Sequence, residues 1–208
     1  MNKQSNSYTI IYIIVLVVVV GAALAFTAMG LKDRQQQNAD ADRMRQILAA
    51  VHITPAPADV VADFGKYITS QAVVNSRGET VGDDAFAVSV AAQVKLPADE
   101  RQLPVFICTL PDGSLKYILP MYGAGLWGPI WGYVALDSDA TTIYGAYFAH
   151  QGETPGLGAE IEKPAFSDQF DGKTIWKDGN FMPVAVVKKG QPFVLAVPFL
   201  FSKISRKT

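Results

Sequence analysis

Between Lys3 and Lys32 the chain carries no charged side chain, and YTIIYIIVLVVVVGAALAFTAMG, residues 8–30, fills most of that interval with apolar residues. A helix from Ile10 to Ala28 rises about 28 Å at about 1.5 Å per residue, close to the hydrocarbon thickness of a bilayer, about 30 Å. The sequence therefore predicts a membrane span over residues 8–29. A cleaved secretory leader would have an apolar core of about 7–15 residues behind a strongly basic start. Here the run is longer and only Lys3 precedes it, so the segment reads as a retained anchor. Tyr8 and Tyr12 fall where interfacial aromatic residues are expected. Lys3 on one flank and Lys32 and Arg34 on the other leave the orientation undecided.

Past the span, KDRQQQNADADRMRQILAAV turns polar and then spaces Ala41, Met44, Ile47, Leu48 and Val51 as one helical stripe. This predicts a juxtamembrane helix whose stripe packs on the body of the protein; a partner helix is the alternative. ITPAPADV breaks that helix, and Asp59 or Thr54 is placed to cap a second one carrying Val60, Val61, Phe64, Tyr67 and Ile68. AFAVSVAAQV, PVFICTL, LKYILPM, WGYVALD and TIYGAYFAH then read as short strands, with a hairpin turn at the PDG of 111–113. PAFSDQF opens on Pro164 as one or two helical turns, and TIWKDGNF and MPVAVVKKG read as extended pieces around a turn at Asp178 and Gly179. The expected fold class is α+β: one N-terminal transmembrane helix, then a twisted antiparallel sheet with a few helices.

At 208 residues there is room for one domain of ordinary size with an appendage. The 18 basic and 19 acidic residues leave a net charge of -1, which supplies no field for a nucleic acid. Cys108 is the only cysteine, so disulfide frameworks and multi-cysteine metal sites are excluded; within PVFICTL it reads as a buried strand residue. His52 and His150 are too few and too distant in sequence to form a metal site without carboxylates. No serine or cysteine stands in a nucleophile motif, which argues against self-contained hydrolytic catalysis.

Two glycine-rich stretches remain. YGAGLWGPIWGY, residues 122–133, interleaves four glycines with Trp127, Trp131 and Tyr133. It is either a loop that lets backbone and rings approach a planar heterocycle, or a strand corner whose aromatics fill the core. GETPGLG, residues 152–158, lacks the features of a nucleotide P-loop or a dinucleotide fingerprint. Its backbone N–H groups could face a ligand carbonyl, with Thr154 donating to a ring atom and Leu157 packing on a ring face. The plainer reading is a tight turn with a solvated Glu153.

The anchor YTIIYIIVLVVVVGAALA, then LPMYGAGLWGPIWGYVALDSD, then YFAHQGETPGLGAEI, in this order and spacing, resemble the C-subunit family of the bacterial sodium-translocating NADH:quinone oxidoreductase. The likeness runs from about residue 8 to about residue 189, and GLWGPIWG is closer to this family than to the related G subunits of Rnf electron-transfer complexes. The resemblance implies a single-span inner-membrane subunit with an FMN-binding domain in the periplasm. There the flavin would pass electrons between NADH and ubiquinone while the complex exports sodium. Its partners would be the other membrane subunits and the lipid bilayer, with no nucleic acid. It implies a domain plan of anchor 1–30, juxtamembrane helix and linker 31–57, FMN-binding domain 58–190 and tail 191–208.

Carried over by position, Glu153, Thr154, Gly156, Leu157 and Gly158 would line the flavin, with Gly125, Leu126 and Trp127 as a second wall. No catalytic residue and no metal ligand is implied; a flavin relay asks the protein for orientation and electrostatics. The family's covalent attachment threonine lies in a motif of Ser or Asp, Gly, a small residue and Thr, near the carboxyl terminus. DGKT at 171–174 mimics its spacing, but Lys173 is bulky and Thr174 comes too early. After Lys189 the likeness gives way to QPFVLAVPFLFSKISRKT, whose apolar run Phe193–Phe201 is too short for a second span. The expectation is therefore no threonyl-FMN bond, and sheet edges lacking their carboxyl-terminal partners unless the tail covers them. A non-catalytic assembly protein of the same complex and an Rnf-type relative are the alternatives.

Overall fold

The computed structural model describes residues 6–177 and 180–182. The chain divides into two compact units, Met1–Arg43 and Met44–Thr208. Helix α1, Asn6–Ala49, takes in both the apolar run and the polar stretch after it. Its apolar part is long enough to cross a membrane, and none of that part is buried inside the protein.

In the second unit the stripe of α1 does what its spacing predicts. Ile47, Leu48, Ala50 and Val51 are buried and Met44 packs against the same core. The helix ends in two 3.0 Å bonds, Ile53 N–H to Leu48 O and His52 N–H to Ala49 O, with His52 at a φ of 59°. This is the Schellman pattern, in which a left-handed residue satisfies the last carbonyls.

Helix α2, Val60–Tyr67, buries Val60 and Phe64. Asp59 stands at its N-cap but makes no side-chain capping bond, contrary to expectation. Ile68 is not helical: it opens strand β1, Ile68–Val74, which pairs with the short β2, Thr80–Gly82. Neither strand is apparent from the sequence pattern. AFAVSVAAQV, by contrast, is not a strand. Asp84 Oδ1 accepts the Ala87 N–H at 3.1 Å, turning the chain, and Val90–Gln93 form a single helical turn, α3. Phe86 and Val88 still reach the core, Phe86 edge-on to Phe64. Both sides of the next strand, Leu103–Thr109, are already paired, one with β1 and the other with Leu115–Ala124.

Strands β3 (Leu103–Thr109), β4 (Leu115–Ala124), β5 (Pro129–Asp137) and β6 (Ile143–His150) complete an antiparallel sheet ordered β2-β1-β3-β4-β5-β6. The α+β class holds. Alternation along β3 buries Pro104, Phe106 and Cys108, which with Ile118, Tyr133 and Ala135 form the face covered by the end of α1. After β6 come a 3-10 turn (Gly158–Glu162), α4 (Pro164–Ser167) and a further 3-10 turn (Asp168–Phe170). Phe166 and Phe170 pack their rings with Phe148 at 5.0–5.4 Å. A last hairpin pairs β7, Trp176–Lys177, with β8, Asn180–Phe181. The predicted turn at Asp178 and Gly179, the extended piece after Met182 and the apolar run Phe193–Phe201 lie outside the described residues.

Candidate functional site

Antiparallel pairing alone delivers the two glycine-rich stretches to one end of the sheet. β4 and β5 face each other up to Ala124 opposite Pro129, and β5 places Ile130 opposite His150, the last residue of β6. The turn 125–128 and the loop 151–158 therefore leave the same edge side by side. Gly125 N–H closes the first on Gly128 O at 2.8 Å, and Gln151 N–H reaches Pro129 O at 3.0 Å to begin the second.

Glu153 joins them. It is 9% exposed, and its Oε1 accepts the Trp127 N–H at 3.0 Å, across 26 residues of chain. A Cβ on Gly125 would collide with that same Oε1, and one on Gly158 would lie 2.5 Å from Oε2. Both glycines are needed because the carboxylate fills the volume their side chains would take. A charged acceptor raises the strength of the bond to Trp127 above that of a neutral pair. The solvated Glu153 of the plainer turn reading is thus replaced by an inward strut. This role is invisible in sequence because it depends on two loops meeting.

The remaining predicted residues lie around this strut. Leu126 is 82% exposed, Trp127 69% and Leu157 73%. Thr154 and Gly156 are exposed as well, and Gly156 adopts a φ of 76°. The Thr154 carbonyl accepts the N–H groups of Leu157 and Ala159 at 3.1 and 3.2 Å, while Gly156 N–H donates to Glu160 Oε1 at 3.2 Å. The Lys163 side chain, with the Gly156 N–H helping, holds the Glu160 carboxyl below the usual carboxylate range. The space beside Gly152 and Gly156 is open, with nothing within 4 Å of an added Cβ. Two exposed aliphatic side chains, an indole, a hydroxyl residue and accessible glycine backbone, all carried by loops locked together from beneath, fit a flat heterocycle with a polar edge.

Thr174 is not brought to these loops. It bridges to Thr142, beside the start of β6, whereas the loops leave from His150 at the other end of that strand, about 23 Å away at about 3.3 Å per residue. Of the aromatics in 122–133, Trp127 faces solvent, Tyr133 is core, and Trp131 donates its Nε1–H to Gln46 Oε1 at 3.0 Å. The core-filling reading thus holds for Tyr133, while Trp127 does not fill the core.

In sequence His150 is no more than one of two histidines. In the fold its Nδ1 accepts the Glu153 N–H at 3.1 Å, and the three-residue spacing His150 to Glu153 directly after a strand is the available signal. Glu162, at the end of the following 3-10 turn, accepts the His150 backbone N–H at 3.3 Å. No group of three or more His, Cys, Asp or Glu side chains is placed to hold a metal among the described residues.

A family model described as an FMN-binding domain matches residues 125–192, beginning at the first of the two loops. The C subunit of the Na(+)-translocating NADH-quinone reductase from Vibrio anguillarum is 31% identical, over 92% of this chain and 81% of that relative. The crystal structure of the same-named protein from Parabacteroides distasonis is 47% identical with a TM-score of 0.74, covering 79% of this chain and 80% of that one. That of NqrC from Shewanella oneidensis is 25% identical with a TM-score of 0.61, covering 74% and 81%. At that identity over nearly its whole length, the chain belongs to the C-subunit family of the Na(+)-translocating NADH-quinone reductase.

Proposed function

We propose that this chain is a membrane-anchored FMN protein that relays electrons between NADH and ubiquinone inside a sodium-exporting complex. The observation that carries the reading is the Glu153 strut, which fixes two loops so that Leu126, Trp127 and Leu157 are offered to solvent and not to the core. Leu126, Trp127 and Leu157 would pack on the ring, while Thr154 and the backbone around Gly156 would meet its polar edge. Bound FMN supplies one-electron chemistry. The protein's part is to hold the ring, exclude water from one face and leave another open to a redox partner.

Helix α1 would tether the domain to the inner membrane, with the domain on the periplasmic side and the other subunits of the complex as partners. Attachment is non-covalent in this reading. Supporting that, Thr174, whose DGKT only mimics the spacing of the family's attachment motif, stands at the far end of β6 from the loops.

Titration of the full chain in detergent with FMN tests the proposal. Flavin fluorescence is expected to quench saturably, and Trp127→Ala with Leu157→Ala is expected to weaken binding at least about tenfold, the equivalent of two lost apolar contacts. A chain that leaves flavin emission unchanged at every concentration would instead support the assembly-protein alternative. A denaturing gel under ultraviolet light is expected to show a dark band; a fluorescent one would refute non-covalent attachment.

A further inference from the structure

His150 ends β6 with its side chain 15% exposed, and its two ring nitrogens have different surroundings. Nδ1 accepts the backbone N–H of Glu153 at 3.1 Å, so in this state it carries no proton and the ring hydrogen resides on Nε2. Nε2 faces Glu162 Oε1 at 3.7 Å, and that same oxygen accepts the backbone N–H of His150. The acid facing the ring is Glu162, from the end of the 3-10 turn, while Glu153 meets the ring through its backbone N–H and turns its carboxylate to the Trp127 amide. The neighbouring Lys163 ammonium is engaged with Glu160 at 2.7 Å.

These contacts make a relay from ring to loops. His150 fixes the amide of Glu153, and the carboxylate of the same residue fixes Trp127 on the other loop. A second proton on the imidazole would put N–H against N–H at the Glu153 amide, while its new charge would favour the Glu162 carboxylate. Both effects pull the ring away from the loop.

We propose that His150 is a positioning residue for flavin loading: its unprotonated Nδ1 sets the Glu153 amide and thereby the two-loop seat, so protonation loosens the seat without touching any flavin-lining side chain. The inference rests on the FMN reading above, and it deepens that reading by making cofactor affinity proton-dependent.

The test uses the full chain in detergent, with two readouts between about pH 8 and about pH 5, where imidazoles ordinarily change charge. One is the amide ¹⁵N shift of Glu153; the other is the FMN dissociation constant. The Glu153 amide is expected to follow the His150 ring through a single transition, and FMN affinity to fall about tenfold, one hydrogen bond's worth. The flavin phosphate also titrates near pH 6, so variants separate the two sources. His150→Asn places Oδ1 where Nδ1 was and cannot gain a proton. It is expected to bind FMN as the parent does at pH 8 and to lose the imidazole share of the acid effect. His150→Gln, whose amide reaches the Nε2 position, is expected to bind weakly at both ends of the range. A Glu153 amide that stays still while the ring titrates would overturn the inference, as would His150→Asn retaining the full acid loss. If the chain binds no FMN at any pH, the flavin reading falls, and the amide titration still decides the role of His150.

Discussion

The carboxylate of Glu153 and the main-chain amide of Trp127 meet at 3.0 Å, and no other hydrogen bond from a side chain reaches across the two glycine-rich loops among the described residues. Glu153→Ala removes the acceptor and leaves that amide unsatisfied beside an empty volume. The expected cost is about 1–3 kcal/mol in urea unfolding, with Glu153→Gln, which keeps an oxygen for the amide, closer to the parent.

Gly125 and Gly158 each approach the same carboxylate too closely for a side chain. Gly125→Ala or Gly158→Ala is therefore expected to displace Glu153 and weaken FMN quenching about tenfold or more, while far-ultraviolet circular dichroism stays unchanged. Gly156→Ala acts differently: its Cβ meets open space, but its φ of 76° disfavours any side chain, so the expected loss is about 1 kcal/mol of stability.

An ion pair between buried Lys116 and half-buried Asp137 gives a third prediction. Lys116 is 7% exposed, with Nζ 2.6 Å from Asp137 Oδ1 and 4.2 Å over the ring of Tyr144. Asp137→Ala leaves the ammonium buried without its counter-ion and is expected to destabilise by about 3 kcal/mol. Lys116→Met in the same chain is expected to recover most of that, since the charge itself is then gone; a double-mutant cycle of denaturant midpoints measures both.

Cys108 lies fully buried on β3, and that burial pushes its thiol from 9.0 up to about 11, against the opposing pull of the Lys116 ammonium. A folded value above the unfolded one means that stability from the neutral thiol is complete below about pH 9 and is lost progressively as pH rises from 9.0 towards 11. Native protein at pH 8 is expected to resist thiol reagents, with reaction following global unfolding. Cys108→Ala is expected to flatten the alkaline decline in urea midpoint relative to the parent.

How far the sequence could be read depends on where each residue's environment comes from. The α1 stripe and strands β3 to β6 carry their own periodicity, because one face of each is committed to the core. β1 and β2 escape notice because ITSQAVV and TVG are short and half polar, and their strand character comes from the neighbours they pair with. AFAVSVAAQV misleads for the opposite reason: its alternation is real and Phe86 and Val88 do face the core, but both sides of β3, the strand that follows it, are already paired with β1 and β4. Within the site, the glycines mark both loops as segments of free backbone, and the His150 contact is local, but the inward turn of Glu153 arises only when the β4–β5 turn and the loop after β6 come together.

The strut between Glu153 and Trp127 also bears on maturation. One end hangs from the β4–β5 hairpin and the other from the residue three positions beyond β6, so neither loop has its final shape until all three strands are zipped. In a nascent chain with β6 still undocked the two loops are not yet joined, so the flavin seat proposed above would form only in molecules whose sixth sheet strand has joined the rest.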